Sequence, residues 1–138
     1  MGLRLRQQSG NIMNTVRISF GKINFEVELL NTPSAKEILK NLPFASKAQV
    51  LEGEVYFETP IQIAREDNAK EVIEAGEIAF WCEGSCIALA YAPTPSSAAD
   101  EIRLTAACNI WAKAVSNVAD LKNVRAGDMV FIEAAPEA

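Results

Sequence analysis

The sequence contains no histidine among its 138 residues, which excludes imidazole-dependent catalysis and the commonest metal ligand. Cysteine is almost as scarce, and the odd count of three argues against the disulfide framework of a small secreted domain. Cys82 and Cys86 have a C-x3-C spacing, but a zinc site without histidine would need three thiolates and a carboxylate. The three thiols are therefore read as small, apolar, buried groups, and no metal or cofactor is expected. Basic charge is also short: 13 Lys and Arg stand against 18 Asp and Glu, a net charge of −5. That balance excludes nucleic acid as the main partner, because phosphate binding needs clustered cations. No apolar run approaches the roughly 20 residues of a membrane-spanning helix. Residues 1–12 hold no apolar signal region, so a cytoplasmic protein is expected. Neither a dinucleotide-binding glycine fingerprint nor a phosphate-binding loop occurs.

What is present is a balanced globular composition, 49% hydrophobic and 22% charged, of a length that suits one domain. Residues 1–13 read as a disordered leader, 14–133 as a single domain and 134–138 as a frayed tail. The organising stretch is residues 76–95, two short apolar runs flanking Gly84-Ser85. A two-residue type II′ turn there would set Trp81 opposite Ala88 and Phe80 opposite Leu89. One face then carries Ile78, Phe80, Cys82, Ile87, Leu89 and Tyr91, and the other carries Ala79, Trp81, Ala88 and Ala90. In this pairing Cys82 and Cys86 point to opposite faces and share neither a bond nor a metal.

A second hairpin is predicted from Val16-x-Ile18-x-Phe20, a Gly21-Lys22 turn, and the alternating Ile23, Phe25, Val27 and Leu29. Thr32 suits a helix N-cap with Pro33 at the first position, and Ser34-x-x-Glu37 offers an alternative capping box. Residues 44–53 read as a loop, 54–58 as a strand, and 69–75 as a short helical turn. Residues 98–116 are ambiguous. Their alanines favour a long helix, while Ile110, Ala112 and Ala114 alternate as in a strand. Asn117 caps a short helix over residues 118–122, and Met129 to Ile132 form a last strand.

The order of these features carries a resemblance. Gly76-Glu-Ile-Ala-Phe-Trp, Gly84-Ser-Cys-Ile-Ala-Leu and Asn109-Ile-Trp-Ala-Lys-Ala-Val resemble the latter half of a cyclophilin. Gly53-Glu-Val-Tyr-Phe-Glu-Thr-Pro, with the Trp-containing hairpin and Thr94-Pro95, is similar to the small prokaryotic cyclophilin-like family. The likeness spans roughly residues 14–133. It implies a mainly β fold, a closed eight-stranded antiparallel β-barrel with a helix at each end, in which residues 108–115 form a strand against their propensity.

Cyclophilin isomerases place an Arg against the prolyl carbonyl, in a block approximating F-H-R-V-I-P-x-F and then F-M-x-Q-G-G-D. The sequence has no residue-by-residue match to that block, and its nearest stretch, Glu54 to Glu58, has neither Arg nor Gln. The resemblance places Tyr56, Trp81, Tyr91 and Thr94 in or beside the cleft, where aromatics with polar tips suit a proline ring or small apolar ligand. Arg103 is a weak catalytic candidate as a donor to a twisted amide. Glu54 and Glu58, roughly 13 Å apart along a strand, read as a solvated strand face rather than an acid–base pair. The expected function is a binding module for a small molecule or proline-containing peptide. The alternatives are a divergent peptidyl-prolyl isomerase and a protein-interaction or oligomerisation unit.

Overall fold

The computed structural model describes residues 15–135. The proposed leader, residues 1–13, and the end of the tail lie outside that range. Strands β1 (Thr15–Phe20) and β2 (Ile23–Leu29) form the expected hairpin, with Val16 opposite Val27 and Phe20 opposite Ile23. Gly21 turns the chain at φ 63°, a conformation open to a residue without Cβ. Val16, Ile18, Phe20, Phe25 and Val27 are buried, so the period-two pattern faces one core.

Helix α1 (Pro33–Lys40) follows, with Pro33 at its start and Thr32 Oγ1 accepting the Ala35 N–H at 3.1 Å. The alternative capping box does not form. Ser34 is instead fully buried, and its N–H donates to Glu66 Oε2 at 2.9 Å.

The segment expected as a loop nearly closes the barrel. It contains β3 (Phe44–Lys47) and β4 (Gln49–Leu51), joined at the fully buried Ala48. Ala48 donates to the Asp128 carbonyl and accepts from the Gly127 N–H, each at 2.8 Å. The remaining strands are β5 (Glu54–Glu58), β6 (Lys70–Ile73), β7 (Glu77–Trp81), β8 (Cys86–Ala90), β9 (Ile102–Ala114) and β10 (Met129–Ala134). Around the sheet the order is β3, β10, β1, β2, β9, β7, β8, β5, β4. The path has nine strands, one more than the eight expected, and because only Ala48 separates β3 from β4 the barrel is nearly closed. β6 is an additional strand, paired off this path to the first half of β9. It replaces the helical turn expected over residues 69–75.

β9 resolves the ambiguity of residues 98–116 in favour of a strand, and a bulge explains why the pattern misled. Ile110 pairs with Ala79 and Ala112 with Ile78, leaving Trp111 as the extra residue. Trp111 and Ala112 both join the barrel core at 0% exposure, which breaks the alternation locally. A short 3-10 helix, Ala119–Asn123, follows β9, and Asn117 Oδ1 accepts the Ala119 N–H at 2.7 Å. α1 meets the middle of β9 through Asn109, and the 3-10 helix follows the strand's C-terminal end. The tail expected from residue 134 remains paired that far, with Ala134 opposite Val16.

The central hairpin keeps its predicted faces but changes register. Trp81 pairs with Cys86 and Phe80 with Ile87, two residues from the tight-turn pairing. Residues 82–85 therefore form a four-residue connection, closed by Ser85 N–H to the Cys82 carbonyl at 3.4 Å. Ser85, not Gly84, takes the positive φ of 52°. Gly84 is required by space: a Cβ there would lie 2.2 Å from Trp81 Cζ3. A shift of two residues preserves which side chains share a face. Ile78, Phe80, Ile87 and Leu89 enter the barrel core, while Ala79, Ala88 and Ala90 turn outward. Those alanines leave room for Leu104 and Cys108 of β9 to pack over them in a second buried cluster.

Candidate functional site

The outer face of β4, β5, β8 and β7 forms one wall of a groove. Ladder pairing aligns Leu51 with Glu54 and Ala90, and Gln49 with Tyr56 and Ala88. Glu58, Cys86 and Trp81 form the next row. The groove has two compartments, and Tyr56, Trp81 and Cys86 line both. The wider one, about 710 Å³, opens towards Lys47, Gln49 and Glu58. The narrower, about 190 Å³, lies between Leu51, Ala88, Leu104 and Cys108, with Glu54 in its wall.

Trp81 is 36% exposed and rests against Gly84. It does not pack beneath α1, which instead buries Ser34, Ala35 and Ile38. Tyr56 is half-buried and packs against the outer cluster. Glu54 is only 8% exposed, which corrects the expectation of a fully solvated Glu54 and Glu58 face. Glu58 does remain exposed. Burial pushes the Glu54 carboxyl above its usual range, and among the described residues no hydrogen-bond donor or cation reaches it. Burial also raises Cys108, to about 12, with the Glu54 charge adding to the effect. Cys86 is raised by burial and then by Glu58 and Glu54. Both thiols are protonated near neutrality and supply weak donors rather than nucleophiles. Cys82 packs against the barrel core, on the opposite side from Cys86.

The other sequence candidates fall elsewhere. Tyr91 packs against the barrel core, and its N–H donates to the Gly53 carbonyl at 2.8 Å. The Thr94 hydroxyl donates to the Arg103 carbonyl and lies 3.2 Å from Ser97 Oγ, tying the loop after β8 to the start of β9. Arg103 is committed to two ion pairs, Nε to Glu101 at 2.7 Å and Nη1 to Glu71 at 2.8 Å. The hydrogen bonds to Glu101 and then Glu71 raise its pKa further. Tyr91, Thr94 and Arg103 line neither compartment. Sequence reasoning missed Glu54, Leu104 and Cys108 as groove residues. The visible signal was the run of outward alanines in β7 and β8, which announces that something covers them.

Comparison with known proteins agrees with this architecture. The cyclophilin-like family model matches residues 14–133. A hypothetical protein from Archaeoglobus fulgidus, whose structure was determined in solution, is 32% identical. The match covers 94% of this chain and 100% of that one, with a TM-score of 0.80. No curated protein matches the chain. The chain belongs to the cyclophilin-like family.

Proposed function

We propose that this barrel is a binding module that takes a small apolar ligand, or the proline ring of a peptide, in the Tyr56–Trp81 groove. The observation that carries this reading is the pair of aromatics, one half-buried and one exposed, beside an apolar compartment of about 190 Å³. A concave apolar site with few polar groups is the usual form of a ligand pocket. The volume is roughly six water molecules' share of the liquid, enough for a five- or six-membered ring. The isomerase alternative is less well supported: the cyclophilin block is missing, and Arg103 is engaged by two carboxylates outside the groove.

An NMR titration with a proline-containing peptide tests the reading. Amide shifts concentrated at Tyr56, Trp81, Cys86 and Leu104, without faster cis–trans exchange than the intrinsic tens of seconds, are expected. Accelerated exchange would establish the isomerase instead. Shifts confined to other surfaces would refute the groove.

A further inference from the structure

The narrow compartment contains one polar group that nothing in the fold explains. The rest of its wall is mostly apolar or aromatic, with Leu51, Ala88 and Leu104 beside Tyr56 and Trp81, and its other polar groups, the Thr105 hydroxyl and the thiols of Cys86 and Cys108, are neutral. Glu54 lines it from the first position of β5, a residue only 8% exposed. Buried carboxylates in folded proteins are ordinarily paired with a cation or held by several donors. Among the described residues Glu54 has neither, and Leu51 and Ala90, its ladder neighbours, have no side-chain donor to offer. An acid this deep and this uncompensated costs stability in the empty protein. A ligand that supplies the missing cation recovers that cost on binding.

We infer that Glu54 is the recognition group of the groove and that the ligand is a small organic ammonium with an apolar body of about ring size. This inference rests on the binding role proposed above and names the ligand's chemical class. Three observations converge on it. The carboxyl lines the compartment that would hold the apolar body. Trp81 and Tyr56 border the same space, and aromatic faces attract ammonium groups through the ring quadrupole. The chain's net charge of −5 favours the approach of cations. The ammonium can belong to a free amine or to the N-terminus of a peptide, an N-terminal proline being a ring and a cation at once.

The test compares cyclohexylammonium with cyclohexanol, two probes of matching shape that differ in charge, by NMR titration of the full chain at pH 7. Cyclohexylammonium is expected to bind at least tenfold more tightly, shifting Glu54, Tyr56 and Leu104. Glu54→Gln should abolish that preference with amide dispersion unchanged, and Glu54→Asp, which keeps the charge, should retain part of it. Equal binding of the two probes, or a preference that survives Glu54→Gln, would overturn the inference while leaving the groove as a binding site. Binding of neither probe, with no shift in the groove, would overturn both. Within a supporting result, the peptide Pro-Gly-Gly with a free or acetylated N-terminus identifies the source. Tighter binding of the free form than of cyclohexylammonium marks a peptide terminus, and weaker binding marks a free amine.

Discussion

The two tryptophans show how position decides what a large ring does. Trp111 is fully buried, and its Nε1 donates to the Ala79 carbonyl at 3.3 Å. Trp111→Ala should cost about 3–5 kcal/mol, the range for emptying an aromatic site in a core, read as a lowered urea midpoint. Trp81 is 36% exposed, so Trp81→Ala should cost about 1–2 kcal/mol and leave a cooperative fold that no longer binds in the groove. Gly84 and Trp81 are coupled, since any side chain at 84 meets the ring. Gly84→Ala should destabilise by about 1–3 kcal/mol through overcrowding. In the Trp81→Ala background most of that loss should vanish; additive losses would show that the ring does not rest on the turn. Glu54 gives a pH signature. Its folded pKa is raised, so between the unfolded and folded values the native state binds more protons, and stability falls as pH rises through that window. The titratable groups of its surroundings are Cys86, Cys108 and Tyr56, with Glu58 and Lys47 in the adjoining compartment. Glu54→Gln removes this loss, so its melting temperature relative to the parent should rise from pH 4 to pH 8. A difference that is flat with pH would contradict the burial argument.

At the scale of elements, the sequence revealed which faces are buried more readily than how the strands are joined. The outward alanines of β7 and β8 and the inward Phe80, Ile87 and Leu89 sort correctly in either register, because a two-residue slip conserves the pleat. The register itself depended on Trp81 occupying the space above Gly84, a contact invisible to local pattern. β9 was obscured by its bulge, and its strand state is imposed by pairing with β2 and β7. β3 and β4 were taken for a loop because each is short and their partners, β10 and β5, are distant or newly begun. Glu54 was misplaced for a related reason: its cover, residues 104–108, arrives from some fifty positions later in the chain. A polar knot joins β9 to α1 and to the segment between β5 and β6. Asn109 Nδ2 donates to Ser34 Oγ at 2.8 Å and to the Ala64 carbonyl at 3.0 Å, while Oδ1 accepts the Glu66 N–H at 2.8 Å. Asn109→Leu strands the Ala64 carbonyl and the Glu66 N–H, while Ser34 Oγ keeps Glu66 Oε2, and should cost about 3 kcal/mol, measured by chemical denaturation. A neutral effect would mean that the knot does not anchor α1 to β9.

At the scale of the molecule, one division of labour accounts for the chain. The barrel interior holds the large aliphatic and aromatic side chains, and the outer face of β7 and β8 is kept small so that β9 can fold across it. The groove is the space left where that cover stops, between Leu104 and the Tyr56–Trp81 pair. The most direct test is a crystal structure of the protein soaked with a small cyclic amine. The ligand is expected between Tyr56, Ala88 and Leu104, with its nitrogen at Glu54. Ligand bound only elsewhere, such as beside the exposed Val115 that follows β9, with the groove empty at saturating concentration, would contradict the account.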